Sequence, residues 1–373
     1  MSRAFLVLDD GTIFEGSTWV GVGETFGEAV FSTGMTGYQE TLTDPSYHKQ
    51  VVIMTAPHIG NTGVNREDME SRRIWVSGFV VREPSPIYSN WRADSSLEQE
   101  FEKYGVIGIS GIDTRALTRH LRDRGAMRVG LFAGSELPNE EMIRRVRNSE
   151  PMKGSYLAED VSTEQAKVLP PTKEKKFRVA ALDLGIKDAT PRNMALRGIE
   201  TTLMPVATKY AEISSDGFDG LFLSNGPGDP STMDDVVNLV RQALDDSLPI
   251  FGICFGHQIL GRALGFETYK LRFGHRGINQ PVKNVVSGRI EITAHNHGFA
   301  VDAPLEGQFS TVYGQGFVSH INLNDHVVEG LKLIDRPAFS VQYHPEAAAG
   351  PHDANYLFDE FAILLEQAKR KGR

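Results

Sequence analysis

Short apolar runs broken by Gly, Asp, Pro and Asn fill the first 150 residues. Ala4–Leu8, Val51–Met54 and Trp75–Val81 are rich in β-formers and read as strands. One helical stripe follows Ile112: Asp113 is placed to cap it, and Ala116, Leu117 and Leu121 recur at helical spacing. Residues 160–176 break the pattern with a polar start, Pro170-Pro171 and the charged Lys173-Glu-Lys-Lys, and read as a linker. From Phe177 onward, strands and helices alternate. Arg178–Leu184, Leu221–Leu223 and Pro249–Ile253 are buried-strand runs. Between them, Ser231-Thr-Met-Asp234 predicts a capping box, followed by Met233, Val236, Val237, Val240 and Leu244 on one helical face. Gly256–Leu264 predicts the next helix, and Tyr356–Ala368 a last one with Leu357, Phe361, Leu364 and Leu365 inward. The alternation predicts an α/β fold. It has an open, mostly parallel C-terminal sheet flanked by helices over 177–373, a separate β-rich α/β domain over 1–159, and the linker over 160–176.

Composition narrows the function classes. The 373 residues are 40% hydrophobic and 23% charged, as in ordinary globular chains. A net charge of −9 offers no broad basic field for nucleic acid or an anionic membrane. A single cysteine rules out a disulfide within the chain and suits a reducing compartment. No run nears the ~20 apolar residues of a membrane span, and the N-terminus lacks a signal-peptide core. The expected location is the cytoplasm.

Candidate chemistry concentrates at Gly252-Ile-Cys254-Phe-Gly256. A strand runs directly into a helix with Cys254 at the corner, the thiol counterpart of a nucleophile elbow. Small residues two positions to either side relieve crowding at such a corner. The helix start lowers a thiol pKa through its partial positive charge, and the N–H after the nucleophile points where an oxyanion forms. The pattern indicates acyl transfer without naming a substrate. Downstream, Phe339-Ser-Val-Gln-Tyr-His344-Pro-Glu346 reads as a strand end. A residue before proline is pushed to extended geometry, so His344 and Glu346 are expected on one side of an extended segment. There the carboxylate orients the imidazole as a general base.

These motifs together resemble the class I, triad-type glutamine amidotransferases, over Phe177 to the C-terminus. Ser224-Asn-Gly-Pro-Gly-Asp-Pro230 resembles the family's oxyanion loop. The N-terminal half narrows the resemblance. Gly37-Tyr-Gln-Glu-Thr-Leu-Thr-Asp-Pro-Ser-Tyr47, Pro57-His-Ile-Gly-Asn61 and Ile109-Ser-Gly-Ile-Asp-Thr-Arg-Ala-Leu-Thr-Arg-His120 resemble the small-subunit family of carbamoyl-phosphate synthetases, as does Asn296-His-Gly-Phe299. The resemblance implies Cys254, His344 and Glu346 as the catalytic triad. It also implies a glutamine pocket made by Ser46, Gly226, Gly228, Phe255, Gln258, Asn296, Gly298 and Phe299, with Ser46 supplied by the N-terminal domain. Two departures stand out: Phe255 replaces the family's frequent leucine, and Asp188-Ala-Thr-Pro191 lengthens the spacing before Arg192-Asn193.

The implied activity is hydrolysis of L-glutamine through a glutamyl thioester. Ammonia then passes to a large subunit that makes carbamoyl phosphate from bicarbonate and ATP, for pyrimidine and arginine synthesis. ATP and magnesium are expected in that partner and no cofactor in this chain, which has no Gly-x₄-Gly-Lys-[Ser/Thr] loop. The triad alone fits two other readings: the glutaminase of an anthranilate or nucleotide synthetase, or a silent partner-binding module. His295-x-His297 lacks cysteines or a second histidine pair at ligand spacing. No metal is therefore assigned, and the two rings are expected beside a pocket or in solvent.

Overall fold

The computed structural model describes residues 2–371. They form two compact units: Met1–Ser155 with Arg272–Gly277, and Tyr156–Leu271 with Ile278–Arg373.

The first unit is a closed seven-stranded barrel. Its strands are β1 (Arg3–Leu8), β2 (Ile13–Val20), β3 (Gly23–Ser32), β4 (Gln50–Met54), β5 (Gly78–Val80), β6 (Ile107–Ser110) and β7 (Arg128–Ala133), in the order β1-β2-β6-β5-β4-β3-β7. Pairs β3/β4, β4/β5 and β5/β6 are parallel and the rest antiparallel. Alternation along the strands sorts the side chains. Leu6, Leu8, Ala29, Val51, Ile53, Val80, Ile109, Val129 and Leu131 share one core. Val30, Val52, Met54 and Phe79 pack in another, with Tyr38, Leu42 and Phe101. β4 is buried on both faces, in keeping with its unbroken apolar run Val51–Met54. Of the expected strand Trp75–Val81, only Gly78–Val80 pairs. Helix α1 (Leu97–Tyr104) opens with a capping box between Ser96 and Gln99. In α2 (Thr114–Arg124), Asp113 accepts the Ala116 N–H at 2.9 Å, as the sequence predicts, and α3 (Asn139–Arg147) follows β7.

The second unit is built on one large sheet. Strands β8 (Lys167–Leu169), β9 (Phe177–Leu182), β10 (Ile199–Met204), β11 (Gly220–Leu223), β12 (Ile250–Ile253), β13 (Glu267–Asn284), β14 (Ile290–Asp302), β15 (Phe309–Thr311), β16 (Gly314–Asn322), β17 (Val328–Leu333) and β18 (Ala338–Val341) follow in the chain. The spatial order is β8-β10-β9-β11-β12-β18-β17-β16-β13-β14, with β15 beside β16. The five strands from β10 to β18 run parallel, and antiparallel strands extend both ends. One face carries Ala180, Leu182, Leu221, Leu223 and Ile250 against α5 (Asp234–Asp245) and α6 (Phe255–Ala263). The other carries Val179, Phe222, Phe251, Ile253 and Val341 against Leu357, Phe358, Phe361 and Leu365 of α7 (Leu357–Arg370). Burial on both faces explains the unbroken apolar runs.

Local details depart from expectation. Residues 167–169, inside the expected linker, form the edge strand β8 paired with β10. Ser231 does not cap α5. Pro230–Thr232 makes a 3-10 turn whose first N–H, from Ser231, is taken by Asp229 at 2.8 Å, and α5 starts at Asp234. The lengthened segment after Asp188 becomes a short helix, α4 (Ala189–Ala195), with Pro191 in its first turn, where no intrahelical N–H is lost.

Candidate active site

Cys254 stands between β12 and α6 with φ 54° and ψ −102°, a left-handed conformation rare for a residue with a Cβ. Such a conformation costs on the order of 1–3 kcal/mol and persists only where the surroundings enforce it. Here they do. The Cys254 N–H donates to Val341 O at 2.8 Å and the Gly256 N–H to Ser224 O at 3.0 Å. The flanking glycines have no room for a side chain: a Cβ on Gly252 would lie 2.7 Å from Gly256 O, and one on Gly256 would overlap Leu223 O. Phe255 is the first residue of α6, so its N–H has no acceptor within the helix.

The base arrives from the neighbouring parallel strand, where Ile253 is in register with Val341. The sequence expects extended chain through Pro345. Instead β18 ends at Val341, and Pro345-Glu346 lie in a turn closed by the Ala347 N–H on His344 O at 3.2 Å. The pair still forms, because the turn folds Glu346 back on the ring: His344 Nδ1 is 2.8 Å from Glu346 Oε1. The His344 N–H donates to Ala294 O of β14 at 2.9 Å, which fixes the ring's height above the sheet. His344 and Glu346 are each 3% exposed.

Burial and the Lys187 ammonium both oppose a charge on His344, yet Glu346 and Cys254 outweigh them and raise it to about 10. For Glu346, burial opposes ionisation, but Lys187 and His344 pull the carboxyl down to about 2. Lys187 Nζ lies 3.5 Å from Glu346 Oε1 with both side chains buried. Cys254 acts on His344 through charge and side-chain hydrogen bonding. His344 Nε2 has no partner of full hydrogen-bond geometry among the described residues, and the thiol is directed to Asn296 O at 3.6 Å. Buried histidines without such a carboxylate behave oppositely: burial drives His257 and His320 down to about 3.

The other predicted residues divide by unit. In the second unit, the 224–230 loop runs against the end of β9: Ser224 Oγ accepts the Leu184 N–H at 2.9 Å, and Asn225 Nδ2 donates to Gly185 O at 2.8 Å. Gly226 is obligatory, since a Cβ there would overlap Leu184 O, and Gly228 has φ 98°. Gln258 Nε2 donates to Phe299 O at 2.9 Å and to Gln342 Oε1 at 3.0 Å. A carbonyl accepts only, so the Phe299 contact fixes which end of the Gln258 amide is nitrogen. Both its N–H groups are thereby used, which leaves Oε1 as the free acceptor. Asn296 presents its carbonyl to the thiol, and its buried Nδ2 has no partner among the described residues. Gly298 follows on the same strand. Ser46 belongs to the first unit, in the turn Pro45–Tyr47, where its N–H donates to Asp44 Oδ1 at 2.8 Å. Sequence reasoning passed over Lys187 and Gln342. Neither carries a marker in one dimension; only the fold brings them to Glu346 and Gln258.

The arrangement is a thiol on a strained strand–helix corner, a carboxylate-supported imidazole beside it, and N–H groups and small residues around the reacting position. It suits attack on an amide carbon. Comparison with known proteins agrees. Residues 6–131 match the family described as carbamoyl-phosphate synthase small chain, CPSase domain, and residues 180–364 match glutamine amidotransferase class-I. The carbamoyl phosphate synthase small chain of Streptomyces coelicolor is 64% identical over 97% of this chain and 96% of its own length. That of Bifidobacterium longum is 54% identical over 99% and 96%, and that of Mycobacterium tuberculosis 56% over 98% and 99%. With likeness at this level along nearly its whole length, the chain belongs to the carbamoyl phosphate synthase small chain family and carries that family's class-I glutamine amidotransferase domain.

Proposed function

We propose that this chain releases ammonia from L-glutamine with Cys254 as nucleophile, His344 as acid–base and Glu346 as the group that orients and charges the ring. The observation that carries the reading is the 2.8 Å His344–Glu346 contact beside a cysteine held at φ 54°. Glutamine enters with its side-chain amide carbon against Sγ. His344 takes the thiol proton, or shares it in a thiolate–imidazolium pair favoured by its raised pKa. The tetrahedral oxyanion meets the Phe255 N–H and the Gly226–Gly228 loop; loss of one such donor costs roughly 10²–10³ in rate. His344 gives its proton to the leaving amine, and a glutamyl thioester remains for water to cleave.

In the binding set, the free Oε1 of Gln258 suits an α-ammonium, and Asn296, Gly298 and Phe299 line the pocket from β14. Ser46 is included by resemblance alone. The partner is a large subunit that consumes ammonia, bicarbonate and ATP, with magnesium, to make carbamoyl phosphate for pyrimidine and arginine synthesis. The thiol chemistry of this subunit calls for no cofactor, and the assembly works in the cytoplasm. No helix among the described residues is long and apolar enough to cross a membrane. The test is Cys254→Ser in the assembled enzyme. Glutamine-dependent synthesis is lost and synthesis from added ammonia persists; loss of both, or retention of glutamine use, refutes the division of labour.

A further inference from the structure

A second cluster of chemical side chains lies in the same unit and takes no part in that reaction. β14 places His295 and His297 two residues apart on one face, and Glu329 comes from β17. His295 and His297 are each 3% exposed and Glu329 is fully buried, so neither histidine faces solvent as the sequence reading allowed.

Hydrogen bonds fix how both rings point. His297 Nδ1 is 2.8 Å from Phe299 O, and a carbonyl only accepts, so the proton sits on Nδ1 and Nε2 is a lone pair in the neutral ring. Thr293 Oγ1 donates to Gln280 O at 2.9 Å and so spends its one proton. The 2.7 Å contact from Thr293 Oγ1 to His295 Nε2 must then be donated by the ring, which makes His295 Nδ1 a lone pair in the neutral ring. The two lone pairs face each other, Nδ1 of His295 to Nε2 of His297, at 3.2 Å. Glu329 Oε1 completes a triangle, 3.7 Å from the first nitrogen and 4.0 Å from the second. Two ring nitrogens and a carboxylate converging in a buried space call for a positive charge among them, either a shared proton or a metal ion.

The size of the triangle fits a small divalent cation. The nearest point equidistant from the three atoms lies about 2.1 Å from each, within the range of bonds from zinc to imidazole nitrogen and carboxylate oxygen. The outer contacts match those of metal-bound ligands, whose second ring N–H is tied to a carbonyl or other acceptor. Here Phe299 O and Thr293 Oγ1 do this for the rings, and Asn322 Nδ2 holds Glu329 Oε1 at 3.0 Å.

We propose that His295, His297 and Glu329 bind one divalent transition-metal ion of the zinc class. The absence of cysteine ligands and the hard carboxylate favour a borderline cation such as zinc(II) over copper(I). The ion joins β14 to β17 and thereby steadies the strand that presents Asn296 and Phe299. The site stands independently of the glutaminase reading.

The experiment loads the full chain, co-expressed with its synthetase partner, with zinc(II), removes excess by gel filtration and measures metal per chain. Cobalt(II) is then substituted and its visible spectrum recorded. The result expected is one equivalent of zinc and a low-symmetry cobalt spectrum. His295→Gln and Glu329→Gln should each weaken zinc binding by at least about 10²-fold, beyond the 10–100-fold typical of outer-shell changes, whereas the exposed His58→Gln and His352→Gln leave it intact. A folded wild-type chain that retains no zinc overturns the proposal and leaves a shared proton between the rings. Zinc held equally by every variant overturns it as well. Should one variant fail to fold, the wild-type stoichiometry and the other variant decide.

Discussion

Glu346→Gln isolates what the carboxylate does for His344. The amide keeps the size of the side chain and an oxygen for the ring N–H, but it removes the charge. In the parent protein the ring rises from 6.5 to about 10, which corresponds to roughly 5 kcal/mol of preference for the imidazolium. That preference is won against burial and against Lys187, both of which act in the other direction. In the variant these two remain, Glu346 is gone, and Cys254 alone favours the charge. The same protein shows the limit: His257 and His320, buried with no such carboxylate, lie at about 3. His344 in Glu346→Gln is therefore expected to fall below 7 and to be neutral at working pH. Two-dimensional NMR of ¹⁵N-histidine-labelled chain reads the ring's protonation directly. The pH dependence of glutamine hydrolysis reads it through function, with its alkaline limb moving to lower pH. A variant that keeps its near-ultraviolet circular dichroism yet retains a charged His344 at pH 8 refutes the assignment of the charge to Glu346.

The same pair gives stability a pH signature. Glu346 is depressed from 4.5 to about 2, so its contribution is complete above 4.5 and is lost as pH falls towards 2. His344 is raised, so its contribution is complete below 6.5 and is lost as pH rises towards 10. Chemical unfolding across both ranges should find these slopes flattened in Glu346→Gln. Gln342→Leu removes the acceptor that holds Gln258 Nε2, and is expected to raise KM for glutamine about tenfold, in line with one lost hydrogen bond, with a smaller change in kcat; steady-state kinetics decide. Gly256→Ala drives a Cβ into Leu223 O and should destabilise the protein by more than about 2 kcal/mol, as overpacking does, seen as a lower urea midpoint. Asp113→Ala removes the cap on the Ala116 N–H and should cost about 1 kcal/mol by the same measurement.

The linear sequence determined the features that depend on neighbours along the chain. Apolar runs separated by helical stripes were enough for the parallel sheet, since β9, β11 and β12 are buried on both faces and have no polar alternation to confuse the reading. Cys254 was legible because its strain demands small residues at 252 and 256, a requirement written two positions away. His344 and Glu346 were found by adjacency, though an extended strand was expected and a turn delivers the contact. Tertiary structure decided the rest, because it depends on distance through space. Lys187 meets Glu346 only when β9 and β18 end on the same side of the sheet, and Gln342 meets Gln258 only when β18 lies beside α6. Residues 167–169 looked like linker because an edge strand needs few apolar side chains once a partner supplies its hydrogen bonds. Glu329 likewise gives no sign in sequence of standing opposite His295 and His297, thirty-two residues from the nearer, until antiparallel strands bring it there. Periodicity records which face of an element is buried; it holds no record of which charges meet inside.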